Sequence, residues 1–212
     1  MAPRVSEDYK RKKKNQLLQA ARDVFIKKGY THATMQDIID EAKVSRGALY
    51  SYFQNIEHVF IEVLQFDDQN SFQFFESAND SLIWKQMVNW IQLQKKVIET
   101  IDHSLLQARS EFFLSSNYKQ NKANFPYVKE RFDQATEVIT AFIEKGVKQN
   151  EFQPRLSSGA IARFIIFFID GLMLDTFQLG SERTNVEEQL EALEISLKRM
   201  LCPVNIKNVE ER

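Results

Sequence analysis

The chain has 212 residues, room for one or two compact domains at about 150 residues each. Hydrophobic residues at 43%, charged residues at 27% and 17 Phe exclude bulk disorder, because so apolar a chain can bury a core that offsets its lost conformational entropy. The 6 Gly and 4 Pro are under half of the roughly 12% that average usage would supply, so long helices are expected. The single cysteine, Cys202, can form neither an intrachain disulfide nor a thiolate metal site alone. It points to a reducing compartment. The first ten residues hold no apolar stretch that could serve as a signal-peptide core. The longest unbroken apolar run covers six residues from Phe164, far short of the roughly 20 that cross a bilayer. A cytoplasmic protein without a membrane partner is expected.

The net charge of −1 hides an asymmetry. Residues 1–60 carry 11 Lys/Arg against 7 Asp/Glu, and the remainder carries 17 against 22. The basic run Lys10-Arg11-Lys12-Lys13-Lys14 suits a polyanion, since each cation near a phosphate releases condensed counterions. A solvated basic tail is the plainer alternative.

In chain order, Leu17, Leu18, Ala21, Val24 and Phe25 predict an amphipathic helix over 15–28, stopped by Gly29. Thr34 is an N-cap candidate, with Asp37 completing a relaxed capping box. Met35, Ile38, Ile39 and Ala42 form the buried stripe of that second short helix. Ser45 caps a third, over 46–52. Asn55 then opens a helix with the stripe Ile56, Val59, Phe60, Val63 and Leu64, predicted to run past Phe66 towards Phe75. Further helices are predicted over 82–101, 105–114, 128–149, 159–178 and 186–201. No stretch alternates with a period of two for long enough to make a sheet, so the fold class is all-α.

Two short capped helices joined by a tight turn fit a helix-turn-helix, whose second helix enters the DNA major groove. Leu49 and Phe53 share the inward face of that helix, which leaves Arg46, Gly47, Tyr50 and Ser51 outward. Arginine grips guanine O6 and N7 with two hydrogen bonds, glycine permits close backbone approach, and a tyrosine hydroxyl donates to phosphate.

The stretch Gly29-Tyr30, Ala33 to Ile38 and Ala42 to Asn55 resembles, almost position by position, the DNA-binding signature of the TetR family of bacterial transcriptional regulators. The resemblance covers roughly residues 15–65. It implies an N-terminal three-helix helix-turn-helix domain, 1–54, joined by a long helix to a larger helical ligand-binding and dimerisation domain, 55–212. It further implies phosphate contacts from Thr34, Tyr50 and Tyr52, a base-reading or phosphate role for Arg46, and close approach at Gly47; Lys43, Ser45 and Ser51 complete the expected DNA-facing set. Two positions depart from the family pattern. Lys43 stands where the family commonly has Gly in the turn, so either a left-handed backbone costs about 1 kcal/mol there or the turn is drawn differently. Ile56 stands where a phosphate-touching Lys is usual, and the basic run Lys10 to Lys14 is the candidate to compensate.

No histidine has a Glu three residues before it, which removes the Glu-x-x-His pairs of di-iron bundles. His58 and Glu62 read as a solvated polar pair rather than as metal ligands. Neither a Gly-rich phosphate loop nor a Gly-x-Ser-x-Gly elbow is present. No cofactor, no metal and no enzymatic activity are expected.

Residues 61–212 hold 14 of the 17 Phe and both Trp. Trp84, Trp90, Phe112, Phe113 and Phe132, with Arg109 and Glu111 as polar anchors, are candidates to line a site for a small apolar effector; ordinary core packing is the alternative at each position. Ile161, Phe164, Ile165, Phe168 and Leu172 form a stripe too broad for one partner. Leu190, Leu193 and Leu197 sit in a second, from Val186 to Leu201. Ile161, Ile165, Phe168, Leu172, Leu190, Leu193 and Leu197 are the expected dimerisation residues of a homodimer that reads a palindromic double-stranded DNA operator, its half-sites about 34 Å apart or a multiple of it. The expected function is a ligand-released repressor. A second reading stays open: a helical-bundle protein whose basic N-terminus meets an acidic partner or a membrane surface.

Overall fold

The structure, a computed structural model, describes residues 6–68, 75 and 82–204. Every regular element among them is helical. In order they are α1 (Glu7–His32), α2 (Met35–Ala42), α3 (Arg46–Tyr50), α4 (Ile56–Asp68), α5 (Ile83–Glu99), α6 (Leu106–Leu114), α7 (Ser116–Gln120), α8 (Pro126–Lys148), α9 (Ser158–Leu179), α10 (Ser181–Thr184) and α11 (Val186–Leu201), with single 3₁₀ turns at Ile101–His103 and Lys122–Asn124. The chain divides into two compact units, Met1–Ser71 with His103–Tyr127, and Phe72–Asp102 with Val128–Arg212.

The first unit does not stop at residue 54, where the sequence puts the domain boundary. It also takes in α4 and α6, because both pack along α1. Helix α1 contributes Leu17, Leu18, Ala21, Val24 and Phe25 to the core, and α4 contributes Val59, Phe60, Val63 and Leu64. From α6 come Ala108 and Phe112. Phe112 is the hub of an aromatic cluster, its ring centroid 4.9 Å from Tyr30, 5.2 Å from Phe60 and 5.3 Å from Phe125.

Helix α1 begins two turns before the predicted start, since the Ser6 hydroxyl accepts the Tyr9 N–H at 3.2 Å and Glu7 and Asp8 suit the positive end of the helix dipole. The capping box at α2 forms as predicted: Thr34 Oγ1 accepts the Asp37 N–H, and the Asp37 carboxylate accepts the Thr34 N–H at 3.0 Å. Lys43 ends α2 at φ 52°, ψ 48°. The turn is therefore left-handed on a non-glycine residue, and the departure from the family pattern carries its steric cost.

Helix α4 is described to Asp68; the predicted continuation towards Phe75 crosses residues 69–74, outside the described residues. Two aspartates end it, at the wrong pole of the dipole, and both are tied down. Asp67 receives Arg22 Nε at 2.7 Å, and buried Asp68 accepts the Tyr127 hydroxyl with Arg109 at 3.9 Å.

The second unit is a bundle of α5, α8, α9 and α11 around Met87, Ile91, Ile143, Ile161, Leu193 and Leu197. Leu82, which precedes α5, offers no side-chain cap. Buried Glu151, in the loop after α8, supplies one instead: its two carboxylate oxygens accept the Ile83 and Trp84 N–H groups at 2.8 and 2.7 Å.

These contacts make stability measurable at two positions. Glu151→Ala orphans two buried N–H groups and should destabilise the second unit by about 2 kcal/mol, read as a lower denaturant midpoint in the fluorescence of Trp84 and Trp90; Glu151→Gln should lose less. Lys43→Gly relieves the left-handed strain and should stabilise the first unit by up to about 1 kcal/mol, seen as a raised melting temperature in circular dichroism.

Candidate nucleic-acid interface

The interface is built on α3, five residues long. Leu49 at 0% exposure and Phe53 at 1% fix its inner side. Ser45 caps it, its hydroxyl accepting the Ala48 N–H at 3.2 Å, and the Ser51 hydroxyl donates to the Ala48 carbonyl at 2.7 Å. Helix α3 ends at Tyr50, two residues before the predicted end, and Ser51 and Tyr52 form the turn that follows.

Of the eight expected DNA-facing residues, Thr34, Lys43, Ser45, Arg46, Gly47, Tyr50 and Ser51 are exposed and Tyr52 is half-buried. Tyr50 is 41% exposed. The Arg46 guanidinium lies 5.3 Å from the centre of its ring, a cation–π contact that holds both side chains on the outer surface. A Cβ added at Gly47 would meet no atom within 4 Å. Nothing within the protein requires glycine there, and the open side leaves room for a close external approach.

Ion pairs brace this reader from behind. Lys28 meets Asp37 at 2.7 Å and Lys27 meets Glu41 at 3.0 Å, joining α1 to α2. The Lys28 ammonium and the Thr34 hydroxyl hold the Asp37 carboxyl below its ordinary range. The cleft between these helices, about 310 Å³, is lined by Val24, Lys27, Lys28, Asp37, Asp40 and Glu41, five charged side chains and one apolar one.

The basic run is only partly available. Lys10 pairs with Glu7, Arg11 with Asp8 and Lys14 with Glu62, at 2.8, 3.0 and 2.8 Å. Among the described residues no ion pair involves Lys12 or Lys13. The Glu7 carboxylate holds the Lys10 ammonium above its ordinary pKa. At the head of α4, Asn55 Oδ1 accepts the His58 N–H at 2.8 Å, as its predicted cap role requires, and Ile56 is half-buried. His58 and Glu62 are 3.5 Å apart.

The residues singled out for an effector fall in both units. In the second, Trp84 and Trp90 are buried, Trp90 lies 5.2 Å from Phe75, and half-buried Phe132 stacks on Phe167 at 5.9 Å. In the first, Phe112 is buried at the aromatic hub, half-buried Phe113 lies 5.3 Å from it, Arg109 lies beside Asp68, and Glu111 accepts the Thr31 N–H at 2.8 Å.

The expected dimerisation residues lie mostly inside the unit. Ile161, Ile165, Leu172, Leu190, Leu193 and Leu197 are all buried inside the unit, and only Phe168 is left half-exposed. Heptad-like spacing marks a packed face without saying whether the partner is the same chain or another. The large apolar side chains left exposed on α9 and α11 are Phe167 at 60%, Leu174 at 39%, Leu179, at the last position of α9, at 55%, and Ile195 at 58%. The sequence does carry a signal for them: the apolar residues of α9 run almost all round the helix, more than one buried face requires. Among the described residues no helix is long and apolar enough to cross a membrane, and no three His, Cys, Asp or Glu side chains group as a metal site would.

Comparison with known proteins bears on this geometry. Residues 17–63 match the family model for bacterial regulatory proteins of the tetR family, and residues 86–187 match the tetracyclin repressor-like C-terminal domain. The chain is 26% identical over 202 residues to the HTH-type transcriptional regulator YfiR of Bacillus subtilis, a match covering 95% of this chain and 98% of that protein. It is also 26% identical over 156 residues to the HTH-type transcriptional repressor KstR2 of Mycolicibacterium smegmatis, covering 72% of this chain and 74% of the relative. The solved structure of Salmonella enterica GusR superposes with a TM-score of 0.72 at 16% identity, over 93% of this chain and 98% of that one, a likeness of fold. With an exposed helix-turn-helix reader and both halves of the chain matched, the protein belongs to the TetR family of bacterial helix-turn-helix transcriptional regulators.

Proposed function

We propose that this regulator is a homodimeric repressor that holds a near-palindromic DNA operator through α3 and releases it when a small apolar molecule binds the helical part of the chain. The observation that carries the reading is the outer face of α3, where Arg46, open-sided Gly47 and Tyr50 stand exposed over a fully buried Leu49. Arg46 reads a base edge, while Thr34, Tyr50, Ser51 and Tyr52 meet phosphates on either side of the groove. Lys43 and Ser45, exposed at the turn between α2 and α3, reach the backbone there. Lys12 and Lys13 supply the positive charge that Ile56 does not. DNA reading thus belongs to residues within 1–54, and ligand binding and dimerisation to the chain from 55 onward. Repression is favoured by the relative KstR2, itself described as a repressor.

The dimer forms on α9 and α11 through Phe167, Gly171, Leu174 and Ile195, with Phe168 at the edge. Phe167, Gly171 and Leu174 are spaced four and three residues apart and share one side of α9. In the second unit Trp84, Trp90 and Phe132, and in the first Arg109, Phe112 and Phe113, are the candidates to meet the effector. For release, the effector must bind the DNA-incompetent state better than the competent one, since tight binding to both shifts nothing.

Gel shift on the DNA upstream of the regulator's own transcription unit, at two salt concentrations, tests the DNA reading. Arg46→Ala should relax preference at one base position and cost about 1–3 kcal/mol on the native site. Neutralising Lys12 and Lys13 should weaken every duplex alike and flatten the salt slope by about two. Equal losses from the two changes would refute the division of labour, and Tyr50→Ala binding like wild type would favour the bundle reading, in which the basic N-terminus meets a different acidic partner. For the dimer, Phe167→Glu or Ile195→Glu should yield a folded monomer by light scattering, with operator affinity lost; a Phe167→Glu protein that stays dimeric would place the interface elsewhere.

A further inference from the structure

Helix α1 is broken at Gly29, whose backbone at φ 71°, ψ −179° lies in a region that L side chains rarely adopt. The break turns the next N–H groups outward, and the Glu111 side chain of α6 meets them. Its Oε2 accepts the Thr31 N–H at 2.8 Å, the Tyr30 N–H also contributes, and Gln107 Nε2 donates to Oε1 at 2.8 Å. Burial alone would raise the Glu111 carboxyl, but the Thr31, Gln107 and Tyr30 donors outweigh it and hold the group below its ordinary range. The fit has no slack: a Cβ at residue 29 would lie 2.5 and 2.6 Å from the two carboxylate oxygens. Next to the grip the Tyr30 ring is packed 4.9 Å from both Phe60 and Phe112, and burial, then Glu57, push its phenol up to about 12. Thr34, the cap of α2, follows three residues after Thr31.

We infer that Glu111 is a positioning residue for DNA reading: its carboxylate fixes the corner between α1 and α2 and with it the angle at which α3 meets the groove. This rests on the operator-binding reading above. The corner is held by a side chain 80 positions away in sequence, on a helix outside the helix-turn-helix. The orientation of the reader is therefore set by α6 as well as by the short helices themselves. The missing side chain at Gly29 leaves the carboxylate the space to reach the Thr31 N–H.

The test uses the full-length protein and a duplex that the wild-type chain selects from a random-sequence library, with an unrelated duplex for comparison. Glu111→Ala should keep a cooperative melt above the assay temperature and show faster amide exchange at Thr31. It should bind the selected duplex about tenfold more weakly, the scale of one charge-assisted hydrogen bond, with affinity for the unrelated duplex and the salt slope unchanged. Glu111→Gln, which keeps one acceptor oxygen, should fall between, and it decides the matter if the alanine variant does not fold. Wild-type binding of the selected duplex by both variants overturns the inference, as does a parallel loss on both duplexes, the mark of a merely structural contact. A wild-type chain that selects no duplex overturns the operator reading itself, and the inference with it.

Discussion

The outer face of α3 depends on one burial event, that of Leu49 and Phe53 in the first unit, where Phe53 packs 5.8 Å from His58 of α4. A five-residue helix has no independent stability in water, because its nucleation cost is not recovered over so few hydrogen bonds. What holds α3 is the apolar side, with Leu49 at 0% exposure, together with caps at Thr34 and Ser45 that satisfy the backbone at both helix starts. Once that side is fixed, helical geometry leaves Arg46, Gly47 and Tyr50 no direction but outward. The chemistry of the outer face is free to vary without touching stability.

Charge is arranged on the same principle. Acidic residues answer most of the cations behind the reader, so Lys28, Lys27, Lys14 and Arg22 join helices instead of facing solvent alone. Exposed pairs of this kind contribute little each, commonly under about 1 kcal/mol; their effect is to fix register between helices already held by apolar contact. The consequence for a polyanion is selective. Of five consecutive basic residues, Lys10, Arg11 and Lys14 already have carboxylate partners, and a phosphate must compete for them.

Much of this was legible in the sequence where the signal is local. Thr34 with Asp37, Ser45 and Asn55 announce helix starts because a cap needs only residues three apart, and all of these caps form. Leu49 and Phe53 announce an inner face because their spacing matches one helical turn. Lys43 left two drawings of the turn open, and the backbone settles it as left-handed. Long-range relations were silent. Glu111 read as an anchor for a ligand, since nothing near it in sequence reveals that Gly29 and the Thr31 N–H lie against it. Glu151 was equally invisible, as a cap supplied from 67 residues away leaves no pattern.

The stripes of α9 and α11 show the same limit and a way past it. Periodicity selects residues that face something, and a chain folding alone satisfies its own core first, which is where Ile161, Leu193 and Leu197 went. What remains outside is the surplus: Phe167, Leu174, Leu179 and Ile195, with Gly171 in open space between the first two. The proposed two-fold dimer covers such a surplus with an identical copy of itself, so no second kind of protein is needed. Doubling also answers the smallness of α3. One short helix offers few base contacts, but two joined rigidly make the second half-site encounter intramolecular, and the high effective concentration multiplies affinity without any new contact. In the proposed dimer the apolar surplus on one unit and the brevity of α3 on the other are two sides of one requirement, since pairing covers the first and doubles the second.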